Sequence, residues 1–243
     1  MKTLTITSDD RFMRGLTHIA NHLERAMCNE PSVGISFKSQ SDRVCLEVKI
    51  ADQTVERRVF ATLQTQLAKL IISDAKSHYI QSNMRLVIPD EVNRHAFIRA
   101  LSSFDKETDF LIAKSLIVLT PHFALDSFYD FRITPLKKRW QEVCHLANDN
   151  QAYLICPRTF CELLRFLISN LDPLCEEAHI TGDKIMLKNQ YIPLEASAMP
   201  QDAKVVTRLI DLAPRKIVVH RDCNAALTSK IQTLFGKQKV VFK

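Results

Sequence analysis

The chain has 243 residues, 46% hydrophobic and 25% charged, the balance of a folded protein and far from the apolar-poor, charge-rich signature of disorder. Only four glycines occur, Gly15, Gly34, Gly182 and Gly236, too few and too scattered for a glycine-rich phosphate loop or a dinucleotide fingerprint. The seven cysteines are odd in number and include no Cys-x-x-Cys pair, which argues against a disulfide framework and for a reducing compartment.

The net charge of +6 is uneven along the chain. Residues 202–243 hold nine Lys or Arg against three Asp, and the remainder is balanced at 24 of each sign. An anionic partner for this tail is one implication, and a solvated basic face is the commoner one. The start, Met1 to Thr7, alternates like a strand and meets Asp9 and Asp10, so it lacks a signal peptide's apolar core. The most apolar stretch, Phe110 to Leu119, is about ten residues and contains Lys114, whereas a bilayer span needs ~20. The expectation is a cytoplasmic chain without a membrane segment.

Leu4 and Ile6 begin a short strand, and Ser8 before two aspartates has the form of a capped helix start. Phe12, Leu16, Ile19, Leu23 and Met27 then recur at helical spacing until Asn29-Glu30-Pro31. Two alternating runs, Val33/Ile35/Phe37 and Val44/Leu46/Val48/Ile50, flank the turn-rich Ser39-Gln40-Ser41-Asp42 and predict a hairpin. Val59, Leu63, Leu67, Leu70 and Ile71 predict one long helix over about 55–84, closed by Pro89-Asp90. Helical patterns resume over 91–103, 106–119 and 136–146, the last behind Pro135, and again over 158–170 between Pro157 and Pro173.

After Pro173 the pattern predicts a hairpin, 177–180 and 184–187 around Thr181-Gly182-Asp183. Helix 203–212, strand 216–220, helix 225–235 and strand 239–242 follow, and the last three suggest a right-handed parallel β-α-β crossover. The expected fold class is mixed α+β. It comprises an N-terminal β-α-β-β unit (1–52), a central helical layer of about five helices (53–172) and a C-terminal hairpin plus β-α-β unit (173–243), in one or two domains.

Most motif-like features fail on their chemistry. His18 and His22 have a spacing that can put two imidazoles on one metal, but the glutamate of a zinc-protease helix is missing. Cys156 and Cys161 are spaced wrongly for a zinc knuckle and read as core thiols. His220-Arg221-Asp222 copies the opening of a kinase catalytic loop, yet Leu227 stands where that loop needs its metal-binding Asn. Gly236-Lys237 has no glycine five positions earlier to make a phosphate loop. Arg132, Lys137, Lys138 and Arg139 beside Phe128, Tyr129, Phe131 and Trp140 form the densest aromatic-basic mixture. Such a stretch either stacks and neutralises a nucleic acid or starts a helix whose aromatics enter the core, and the second reading is favoured.

At this stretch the chain is similar to the YtxC-like proteins of endospore-forming bacteria. The segment from Asp126 through Phe128-Tyr129-Asp130-Phe131-Arg132-Ile133 resembles that family's aromatic-x-x-Phe-Arg-Leu element, with Tyr153-Leu154-Ile155 and then Phe160 to Ile168 in matching order. Leu209 to His220 resembles an element of the form Leu-x-x-Leu-x-Pro-x-Lys-Ile-Ile-x-His. Ile133 and Thr134-Pro135 depart from the pattern, so the resemblance implies a divergent member. It implies a sporulation setting, no reaction, no cofactor and no functional residue to carry over.

The expected function is therefore that of a non-enzymatic cytoplasmic protein acting through contacts with a protein partner during sporulation. A second expectation is nucleic-acid binding, with Lys204, Arg215, Lys216, Arg221 and Lys230 on phosphates. A third is an enzyme whose pocket is assembled in space, with Arg132 and His220 as candidates, His220 standing where a parallel strand ends and α/β sheets place ligands.

Overall fold

The computed structural model describes residues 1–40, 43–85, 88–150, 156–194 and 197–243. Ser41 and Asp42 of the first predicted turn, and the family-like Tyr153-Leu154-Ile155, lie outside them. The chain divides into two units, residues 1–79 with 105–141, and residues 80–104 with 142–243. The helices of 53–172 thus do not stand as a layer of their own but are shared between the units.

In the first unit β1 (Lys2–Asp9), α1 (Met13–Ala26), β2 (Val33–Gln40) and β3 (Arg43–Ile50) form the predicted β-α-β-β arrangement. Asp9 rather than Ser8 caps the single 3-10 turn that precedes α1, accepting from the Arg11 N–H. Antiparallel pairing sets Leu4 opposite Val48 and Ile6 opposite Leu46, so the alternating apolar residues of β1 and β3 share one buried face.

From α2 (Gln53–Leu70) the chain passes through a π-helical turn, Ile71–Ala75, into α3 (Lys76–Asn83). That turn changes which residues face inward. A straight continuation of the Leu63, Leu67 and Leu70 stripe would bury Asp74 and His78. The widened turn adds one residue to the repeat, and Asp74 and His78 are exposed while Ala75, Lys76 and Ile80 are buried. After α4 (Glu91–Ser103) the first unit resumes with α5 (Lys106–Leu116), β4 (His122–Ala124), α6 (Leu125–Phe131) and the start of α7 (Thr134–Asp149). β4 pairs parallel with β1 and completes the order β2-β3-β1-β4.

The second unit holds α4, the end of α7, α8 (Pro157–Ser169), β5 (Glu177–Thr181), β6 (Lys184–Leu187), β7 (Gln190–Ile192), α9 (Gln201–Leu212), β8 (Lys216–Val219), α10 (Ala225–Phe235) and β9 (Val240–Phe242). Its sheet has the order β7-β6-β5-β8-β9, with β5, β8 and β9 parallel. Gly182, at positive φ, makes the two-residue turn from β5 to β6. Lys188 and Asn189, both at positive φ, make the next turn to β7, the pattern of a type I′ hairpin. One face of the sheet, with Ile180, Ile185, Ile217, Val219 and Val240, packs into a core shared with Phe97, Phe160, Leu164, Val206, Leu209, Ile231 and Leu234 from the helices.

Candidate functional site

The other face of this sheet carries the chemistry. Pairing aligns Tyr191 with Met186, Met186 with His179, His179 with Val218 and Val218 with Val241, a single row across all five strands. None of these five belongs to the buried core cluster of the unit. Tyr191 is 60% and Val241 39% exposed at the ends of the row, while Val218, between His179 and Val241, is fully buried. Lys184 lies across the Tyr191 ring at 5.5 Å.

Polar groups cluster beside the centre of the row. His179 Nδ1 and His220 Nε2 are 3.1 Å apart, and His179 Nε2 is 3.5 Å from Glu177 Oε1, which also holds Lys216 Nζ at 3.3 Å. The Glu177 carboxylate lies on the Nε2 side of His179. With both rings neutral, His179 keeps its proton on Nε2 toward Glu177, its Nδ1 then accepts from His220 Nε2–H, and His220 Nδ1 is left as a lone-pair acceptor. A carboxylate orienting one imidazole that orients the next is an arrangement suited to moving a proton at His220 Nδ1. Cys223 lies nearby, its thiol on the Ile180 carbonyl at 3.2 Å and pushed to a higher pKa by burial.

His220 was readable as a strand terminus in the sequence, but its partner His179 comes from a strand 41 residues earlier. Only the β5–β8 register brings the two rings together. Arg132 is exposed at the C-terminal end of α6 in the first unit, whereas His220 belongs to the second.

The five basic candidates do not form a free cationic surface. Arg215 pairs with Glu176 at 3.1 Å, Lys216 with Glu177, and Lys230 with Asp90 at 3.3 Å. Lys204 is half-buried on α9, and Arg221 is exposed after β8. Folding also redistributes the charge of the tail. The first unit holds 17 Lys or Arg against 14 Asp or Glu, and the second 16 against 13, so each carries +3.

Comparison with family models, curated proteins and solved structures finds no match. The sites stand on their own geometry.

Among the described residues no group of three or more His, Cys, Asp or Glu is arranged to hold a metal ion, and no helix is long and apolar enough to cross a membrane. His22 Nε2 meets the Gln66 amide at 3.0 Å, and His18 is exposed. The reading of Cys156 as a core thiol is corrected. Pro157 opens α8, so Cys156 becomes its extended N-cap and is exposed, and hydrogen bonds from Thr159 and then Arg158 lower its thiol pKa. Cys161 is half-buried against the core, and burial raises its thiol.

The aromatic-basic stretch follows the helix-start reading only in part, because Phe131 is 77% exposed instead of entering the core. Phe128 and Trp140 are buried, and Tyr129 is flanked by Arg11 at 5.7 Å and Lys137 at 4.4 Å. Arg11 bridges Asp9 and Asp130, and its hydrogen bond holds the Asp130 carboxyl below the ordinary range. Arg139 is drawn to a carboxylate that sequence reasoning missed. Asp109, 1% exposed, accepts from Lys76 Nζ at 2.7 Å, Trp140 Nε1 at 2.9 Å and Arg139 Nε at 3.1 Å. Every close donor to this buried anion is directional and charged or aromatic, which suits a structural pin of the first unit.

Proposed function

We propose that the chain is a non-enzymatic protein that holds a protein partner on the outer face of the five-stranded sheet, in a sporulation or related developmental programme. The observation that carries this reading is the row Tyr191–Met186–His179–Val218–Val241, apolar or aromatic at four of its five positions and open to solvent at both ends. An aromatic anchor with apolar neighbours and a polar rim is the usual make-up of a binding hot spot. At the rim Lys216 is paired with Glu177 and Lys184 lies across the Tyr191 ring, so the partner segment is apolar at its centre with an acidic group toward Lys184. The developmental setting is supported by the resemblance of 126–168 and 209–220 to the YtxC-like pattern.

The test is co-purification of the full chain from its native cells as wild type, as Y191D/V241D and as L111D, the last altering an exposed residue of the first unit. A partner should be lost only with Y191D/V241D, should rebind from purified components, and should weaken about 30-fold or more for Y191A, the scale of an aromatic hot spot. An unchanged set of partners for Y191D/V241D would remove the reading. Phosphate contact through the five basic candidates is less supported, because Arg215, Lys216 and Lys230 already face carboxylates.

A further inference from the structure

On the helical side of the second unit, α8, α10 and the turn into β9 enclose an open cavity of about 740 Å³. This volume lies in the range of sites for small organic ligands, about 300–1,000 Å³. Its lining brings together groups that nothing in the core requires. Arg165, Lys237 and Lys239 contribute three cations, and Phe166, 61% exposed, contributes an uncovered aromatic ring.

Arg165 is fixed in place. Its Nε and Nη2 donate to the Thr233 carbonyl at 3.1 and 2.7 Å, anchoring the guanidinium at the end of α10 and leaving its remaining donors to the cavity. Lys237 and Lys239 stand outside the ion pairs formed among the described residues. The one acid of the lining, Glu162, is engaged by Arg158 at 3.1 Å. The C-terminal ends of α8 and α10 each add a partial negative charge of about one half, which three cations exceed. Ser229 and Gln232 supply a hydroxyl and an amide on the same wall.

We infer that this cavity binds a nucleotide unit, its base stacked on Phe166 and its phosphate held by Arg165, Lys237 and Lys239. The recognition uses side chains alone, as in grooves that pair an aromatic platform with cations, and so needs none of the glycine-rich backbone cradles that the sequence lacks. The unit is either a free nucleotide or part of a single strand, and both present the same flat base and phosphate.

Fluorescence anisotropy of the full chain with a labelled adenosine monophosphate and with a labelled single strand of about eight nucleotides separates the two sources, because the expected site size spans ~4–16 nucleotides. Binding of either probe at about 50 mM salt is expected, with a slope of log K against log salt near −2 for the strand when three phosphates are met. F166A should weaken binding by about 5- to 150-fold, and F166W should retain it. K237Q/K239Q should make the strand's slope shallower by about 1.4. F166A and K237Q/K239Q should keep the wild-type far-ultraviolet circular dichroism and its thermal transition, which report on the folding of both units. Tighter binding of the monophosphate identifies a free nucleotide, and tighter binding of the strand identifies nucleic acid. Failure of both probes to bind, inorganic pyrophosphate competing as well as either nucleotide probe, or F166A and K237Q/K239Q both within twofold of wild type would overturn the inference.

Discussion

Asp109→Asn removes one charge and almost no volume, so it isolates what the buried carboxylate does. Oδ2 accepts from Lys76 and Trp140 and Oδ1 from Arg139, and an asparagine can satisfy only one side, its amide nitrogen then facing a donor. Lys76, 2% exposed, loses the anion it touches. Breaking a buried pair by removing one partner costs about 3–5 kcal/mol, in line with the ~4 kcal/mol of two unit charges 4 Å apart at an effective dielectric of 20. Lys76→Met costs less, about 1–2 kcal/mol, because Asp109 keeps Arg139 and Trp140, and hydrogen bonds to charged groups are worth ~1.5–3 kcal/mol each.

The assay is urea unfolding followed by the emission of Trp140, the chain's single tryptophan, 1% exposed and bonded to the altered group. With a slope of ~2 kcal/mol per molar, D109N should lower the midpoint by roughly 2 M and K76M by under 1 M. The double variant should be less destabilised than D109N alone, since the buried ammonium that has lost the Asp109 charge is also removed. Burial holds the Lys76 pKa below its ordinary 10.5, outweighing the pull of Asp109. Between the lowered folded value and 10.5 the unfolded chain binds more protons, so this group adds stability as pH rises through that window, and K76M should flatten the slope. A midpoint for D109N within experimental error of wild type, or a double variant worse than D109N, would refute the reasoning.

Ser8→Ala should stabilise the first unit by about 1 kcal/mol, read as a rise in the urea midpoint, because the Ser8 hydroxyl is fully buried and has no hydrogen-bond partner among the described residues. Cys156 should be modified by a thiol reagent near neutral pH well before Cys144, since hydrogen bonds at the N-cap lower the first thiol and burial raises the second; mass mapping of partial labelling checks the order. Ala213 caps α9 at φ 39°, so Ala213→Gly should raise thermal stability, by up to about 1 kcal/mol once left-handed strain is set against glycine's entropy. Long-range nitrogen-15 spectra at neutral pH should show His179 as the Nε2–H tautomer, and Glu177→Gln should disturb that preference, because the carboxylate lies on the Nε2 side of the ring.

Elements with an unbroken period were legible before folding. The bounds of α4 and α10 and the parallel pairing of β8 with β9 follow the predicted runs, because each buries one regular face. β7 was not, since a type I′ turn is signalled by Asn-Gly and here falls on Lys188-Asn189. β4 is only three residues and depends on pairing with β1. The π-helical turn defeated the helical pattern locally, hiding Lys76 behind Asp74 and His78. Of the candidate chemistry, His220 was visible and His179 was not, because register across a sheet is absent from any local window.

Glycine scarcity links the strained turns to the form the sites take. Asp105, Lys188, Asn189 and Ala213 occupy left-handed positions that glycine usually fills, at roughly 1–2 kcal/mol each for an ordinary side chain. Such a cost persists only where neighbours fix the backbone, as the β6–β7 register does for Lys188 and the end of α9 does for Ala213. The same shortage keeps main-chain N–H groups away from a phosphate, since a Cβ stands in the path of approach. Recognition must then come from side chains, and the two surfaces with converging side chains draw them from distant segments. The row gathers Tyr191, His179 and Val241 from separate strands, and the cavity gathers Phe166 from α8, ahead of the sheet's first strand, and Lys237 from the turn before its last. A chain built this way carries its binding groups without a short motif, so each site exists only once the five-stranded sheet and its helices have closed.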